Sequence, residues 1–188
     1  MVVEAFKNIL KYPNAISTEW LTNEQKSNPE ILKSYTICVG FIEEWTTDSG
    51  ETESRENNGN MGGTMRLGNF NTIIKKKNII KKKNIIKHNN KEQSSISYKI
   101  YDNIKSGEDE ENIIICERHR HRYEVNIGIV KELELTGIHV VGSSQYGDLP
   151  EIIENTNNKF MVACQFHPEF KSTPFNPRPL FCELLNSC

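Results

Sequence analysis

"KFMVACQFHPEF" (159–170) is an apolar run that ends in a base and an acid. Phe160, Met161, Val162 and Ala163 read as a short buried strand, and His167 and Glu169 follow it two residues apart. In extended backbone, residues i and i+2 point to the same side, so imidazole and carboxylate can meet. Pro168 fixes the φ between them and biases His167 towards extended geometry. Such a carboxylate holds one ring nitrogen protonated and leaves the other free as a base, which makes two members of a nucleophilic triad. The plain alternative is a surface His–Glu pair that follows a strand, and the stretch alone leaves both open.

Outward from this stretch, "LPEIIEN" (149–155) reads as the neighbouring strand and "IHVVGSS" (138–144) as another. "IGIVKELELTG" (127–137) has helical spacing and is closed by Gly137, while "NIIICERHRHRYEV" (112–125) is a strand emerging from a core. "SSISYKIYDNI" (94–104) is a helix with Ser94 or Ser95 as cap, and "SYTICVGFIEEW" (34–45) is a strand. "PRPLFCELLNSC" (177–188) is a terminal helix with a proline near its first turn. "MVVEAFKNILKY" (1–12) sets Val2, Val3, Phe6, Ile9 and Leu10 on one helical face that is already running at the first residue. That headless start leads us to expect a chain that begins inside a longer protein, with apolar surface left open and poor solubility when expressed alone. Strands and helices alternate, and several apolar runs are continuous. The expected fold is α/β, an open and largely parallel sheet with helices on both faces.

One segment breaks the pattern. Residues 70–91 hold eight lysines and no acid, within a repeat of Asn-Ile-Ile-Lys-Lys-Lys. A period of six matches neither helix nor strand, so this span is expected to be a low-complexity insertion in a surface loop. Outside it, 15 basic side chains face all 25 acidic ones, although the net charge of the chain is only -2. The alternative role for the repeat, a nucleic-acid or anionic-surface patch, is disfavoured because residues 73–91 hold no Phe, Tyr or Trp for base stacking. No apolar run is long enough to span a membrane. The five cysteines (38, 116, 164, 182, 188) are odd in number and form no CxxC pair. Free thiols of this kind fit a reducing, cytoplasmic setting.

None of the five qualifies as the missing nucleophile. "TICVGF" has a Gly two residues after Cys38 but Thr36 where a nucleophile elbow needs Gly, and strand-like sequence follows in place of a helix. Cys164 lies three residues before His167 on the same strand and so faces the other way. Elsewhere, His119 and His121 share one strand face and Arg118, Arg120 and Arg122 the other. The His pair has no third ligand at good spacing for zinc, so no metal is expected. The arginine row suits a carboxylate or phosphate, and it also has many acids to pair with.

Three segments together, "GGTMRLG" (62–68), "ERHRHRYEVN" (117–126) and "CQFHPEF" (164–170), resemble the C-terminal glutamine amidotransferase domain of the CTP synthase family. "STEW" (17–20) and "STP" (172–174) agree in order. The resemblance covers nearly the whole chain except 70–91. It implies a flavodoxin-like class I amidotransferase fold whose first strands are missing here. It also implies a Cys–His–Glu triad that hydrolyses glutamine, with His167 as base and Glu169 as its orienting partner. Glu19 would hold the α-amino group of glutamine and Arg122 its α-carboxylate. Ammonia would pass through a tunnel to a separate amidoligase domain that aminates UTP to CTP with ATP and magnesium, in pyrimidine nucleotide synthesis. The resemblance further implies a homotetramer built through that domain.

The family's Gly-x-Cys elbow is absent from these 188 residues, and Ile16 stands where the family usually has Asn. The chain alone is therefore expected to be inactive. A non-catalytic relative that binds glutamine or a partner protein is the alternative.

Overall fold

The computed structural model describes residues 1–41, 44–46, 52–54, 65–78, 93–109, 111–146 and 148–188. The chain starts as helix α1 (Val2–Glu4) and widens into a π turn over Ala5–Ile9, where the Leu10 amide reaches the Ala5 carbonyl at 3.1 Å. Val2, Val3 and Phe6 are buried as their spacing requires, but the wider winding turns Ile9 out, 54% exposed. Strand β1 (Ala15–Ser17) follows, then the short helices α2 (Asn23–Lys26) and α3 (Pro29–Lys33). Thr22 closes a capping box over α2, and Asn28 caps α3, whose first turn holds Pro29. Next come β2 (Thr36–Phe41), the hairpin β3 (Glu44–Thr46) and β4 (Thr52–Ser54), and the long β5 (Arg66–Lys75).

A two-residue ladder joins β6 (Lys77–Asn78) to β7 (Gln93–Ser94) and leads into α4 (Ile96–Tyr101). Ser95 caps that helix, its hydroxyl accepting from the Tyr98 amide. After β8 (Gly107–Glu108), β9 (Asn112–His121) runs almost straight into β10 (Tyr123–Val125), with a bend at Arg122. Helix α5 (Val130–Leu133) and its flanking 3-10 turns end at Gly137, whose φ of 83° gives the left-handed stop. Then come β11 (Ile138–Ser144), β12 (Pro150–Asn155), β13 (Val162–Cys164) and helix α6 (Pro179–Ser187).

Two sheets result. One has the order β1-β2-β10 and the other β13-β12-β11-β5-β9-β8. The bend at Arg122 carries one extended segment from the larger sheet into the smaller. Helices do cover both faces. Ile153 belongs to a core with Val2, Phe6 and Leu133, beneath α1 and α5. Its neighbour Ile152 belongs to a second core with Ile74, Tyr101, Phe166 and Leu180, beneath α4 and α6. Adjacent strand residues point to opposite faces, so these cores lie on opposite sides of the larger sheet.

The α/β class stands, but the strand direction differs from expectation. Among the described residues, only β1 and β2 pair in parallel; the other pairings of both larger sheets are antiparallel. Continuous apolar runs report burial on two faces, which is not the same as direction. The short links after β11 and β12 leave room for a turn and not for a crossover. A second correction concerns residues 70–91. Residues 70–75 are the second half of β5, paired with β9 out to Lys75↔Asn112, with Thr72 and Ile74 fully buried. The repeat masked an ordinary strand alternation in Phe70, Thr72 and Ile74. Residues 79–92 lie outside the described residues.

Candidate active site

His167 and Glu169 are brought together just past β13, where Pro168–Lys171 winds into a 3-10 turn. His167 Nδ1 lies 2.7 Å from Glu169 Oε1. A carboxylate only accepts, so Nδ1 carries the proton and Nε2 is left as the base. The bond to His167 holds the Glu169 carboxyl below its ordinary value. The imidazole stacks on Phe170, with centroids 5.1 Å apart and planes 27° from parallel. The His167 amide donates to the Arg118 carbonyl at 2.8 Å, which ties the turn to β9. The two side chains are 38% and 53% exposed, so the pair is open to a ligand.

Glu19 and Arg122 are set at the same end of the smaller sheet. Glu19 sits in a 3-10 turn over Thr18–Trp20 directly after β1, and its amide donates to the Ser17 hydroxyl at 3.3 Å. β1 and β2 are parallel, so this is also the end where β2 stops at Phe41. Tyr123 pairs with Phe41, and Arg122 immediately precedes it. Gln165, two residues before His167, donates its side-chain amide to the Tyr123 carbonyl at 3.2 Å. Glu19 and Arg122 thus flank the end of the parallel β1–β2 pair, and Gln165 ties the segment that carries His167 to the strand beginning beside Arg122.

The class I glutamine amidotransferase family matches residues 35–187, most of the chain. The chain belongs to that family. The CTP synthase of Neorickettsia sennetsu is 35% identical over 187 residues, covering 99% of this chain and 28% of that protein. The CTP synthase of Bartonella tribocorum is 38% identical over 186 residues, with 98% and 27% covered. Among solved structures, the glutaminase domain of Trypanosoma brucei CTP synthase with bound acivicin superimposes with a TM-score of 0.62 at 28% identity. That match covers 99% of this chain and 55% of the other. The chain therefore spans little more than a quarter of the curated relatives it matches.

Among the described residues, no cysteine sulfur hydrogen-bonds His167. Cys38 is fully buried in β2, where desolvation raises its thiol. Burial pushes the Cys164 thiol up to about 12, the opposite of what a nucleophile needs. Cys116 lies beside the Lys171 ammonium at 3.5 Å, and Cys182 and Cys188 are on or beyond α6.

Next to the candidate site lies a buried polar layer that sequence reasoning found only in part. Arg66 on β5 reaches Glu151 at 2.5 Å and Glu124 at 3.3 Å, and Thr72 donates to Glu151 as well. Gln165 adds a bond to Glu124 at 3.1 Å. Burial, opposed by Arg66 and aided by Glu151, pushes the Glu124 carboxyl up to about 8. His119 and His121 do share a face, and their ring nitrogens meet at 3.0 Å. Burial above all, then Arg66, lowers them to about 2 and about 4, so both stay neutral. Arg118 and Arg120 are exposed on the opposite face, as the alternation predicts. Sequence spacing carries no signal for Gln165, whose partners Tyr123 and Glu124 lie 42 and 41 residues away in sequence.

Proposed function

We propose that this domain is the glutamine-hydrolysing part of a CTP synthase. The observation that carries the reading is the 2.7 Å His167–Glu169 bond just past β13, which the Gln165–Tyr123 bond links to β10, the strand that follows Arg122. A free amino acid presents one cation and one anion, and Glu19 and Arg122 are matched to them. His167 Nε2 takes the proton of a thiol supplied by chain outside these 188 residues, as that sulfur attacks the γ-carboxamide carbon. The same nitrogen returns the proton to the departing ammonia, and water then releases glutamate from the thioester. Glu169 keeps the imidazole in the required tautomer throughout.

The ammonia would serve an amidoligase domain elsewhere in the protein, where ATP and magnesium would support amination of UTP to CTP. We place the whole protein in the cytoplasm as a homotetramer. Among the described residues, no helix is long and apolar enough to cross a membrane.

The test has two parts. L-glutamine titrated into the 188-residue chain should bind, and Arg122→Ala should abolish binding. The same chain should release no glutamate above background, because its own thiols are the wrong ones; loss of a triad nucleophile costs on the order of 10⁶ in rate. Glutamate release by these 188 residues would overturn the reading. The alternative, a non-catalytic domain that only binds glutamine or a partner, requires a coding sequence with no Gly-x-Cys elbow ahead of Met1.

A further inference from the structure

Gln165 lies outside the base–acid pair, yet it spends every side-chain proton on β10. One Nε2 proton goes to the Tyr123 carbonyl at 3.2 Å and the other to Glu124 Oε2 at 3.1 Å. Its backbone amide donates to the Glu151 carbonyl at 2.8 Å. Glu124 is itself fixed, because its other oxygen is held by Arg66, which in turn grips Glu151. Two residues on, the His167 amide holds the Arg118 carbonyl at 2.8 Å. The stretch 165–167 therefore clamps the stretch 118–124 at two points, and Arg122 lies on the chain between them.

We propose that Gln165, braced on Glu124, is a positioning residue that sets the gap between Arg122 and His167 and so matches the site to the length of glutamine. This rests on the roles given above to those two residues. The packing at this point is supplied by Phe166, which is buried against Tyr101 and His119. An amide side chain is not needed for that packing. What it contributes is direction: two hydrogen bonds that fix where β10 starts relative to the His167 turn. A flexible gap would still admit the amino-acid head group at Arg122 but would no longer present the γ-carboxamide to the base.

The experiment uses the 188-residue chain and two ligands, L-glutamine and L-2-aminobutyrate, which has the same head group and no carboxamide. Calorimetric dissociation constants are measured for wild type, Gln165→Met (equal length, no donor) and Gln165→Asn (donors kept, reach shortened), with melting temperatures beside them. Gln165→Met should weaken glutamine at least tenfold while 2-aminobutyrate changes by less than twofold, so that the preference for glutamine collapses. Gln165→Asn, which also tests the idea should the Met variant not fold, should lose part of that preference. If both ligands weaken equally, or glutamine binds within twofold of wild type, Gln165 does not set the gap. If wild type binds no glutamine, or Arg122→Ala binds it normally, the assignment of the site has failed instead.

Discussion

At the scale of single residues, the site depends on which nitrogen of His167 holds its proton. Glu169 accepts from Nδ1 at 2.7 Å, so Glu169→Ala should shift the neutral ring towards the Nε2–H tautomer and remove the base. Nitrogen chemical shifts of the imidazole report this directly; an unchanged tautomer ratio would refute it. In a protein that also carries the thiol, the same change should lower turnover by about 10²–10⁴-fold. Glu124 offers a second residue-level test, through pH. Its carboxyl is raised to about 8 from an ordinary 4.5, so between those values the folded protein keeps a proton that the unfolded chain has lost. That contribution is whole below about pH 4.5 and is lost as pH rises through 8. His119 and His121, lowered from 6.5, act in the other direction, and their contribution is lost as pH falls below about 6.5. These three groups together place maximal stability near pH 6.5. Glu124→Gln should flatten the fall in melting temperature between pH 6.5 and 8 relative to wild type. A melting-temperature difference constant from pH 5 to 9 would contradict the assignment.

At the scale of elements, the helix that ends at Gly137 shows how a stop signal becomes a spatial constraint. A Cβ at Gly137 would lie 2.3 Å from Asn157 Nδ2, and φ is 83°. Gly137→Ala should cost about 1–2 kcal/mol for the left-handed backbone alone. The contact adds to that, so the loss of melting temperature should be smaller in an Asn157→Ala background. Equal losses in both backgrounds would show that the clash is relieved without cost. The sequence foresaw this stop, a cap at Ser94 or Ser95 that falls on Ser95, and the positions of β9 to β12, because each is a local signal: a glycine, a hydroxyl, an apolar run. Strand β13 (Val162–Cys164) begins two residues later than the apolar run from Phe160 and is only half-buried. It did not foresee strand direction, since burial on two faces leaves the same apolar run whether neighbours run with it or against it. In the site, His167 and Glu169 were legible as a base and an acid two residues apart, although a 3-10 turn over Pro168–Lys171, and not an extended strand, brings them together. Gln165 was not, because its partners are 42 and 41 residues away in sequence.

At the scale of the molecule, β5 joins the parts. It lies between β11 and β9, supplies Arg66 to the buried layer behind the site, and buries Thr72 and Ile74 in the sheet. Half of it falls inside the lysine-rich span, so composition and architecture disagree over where that span stops being part of the domain. The pairing of Lys77 with Ser94 and of Asn78 with Gln93 decides where to cut. Because Asn78 and Gln93 face each other across an antiparallel ladder, a two-residue Asn-Gly turn can replace 79–92 without moving either strand. The resulting chain should unfold cooperatively within a few degrees of wild type, bind glutamine equally well, and show unchanged affinity for RNA. A deletion of 70–91 should behave differently, because it removes the buried Ile74, a side chain whose truncation alone costs about 2–5 kcal/mol, together with its ladder to β9. Thermal melts and glutamine titrations of the two chains distinguish the cases. If the turn-replaced chain lost cooperative unfolding, residues 79–92 would have to contribute to the fold itself.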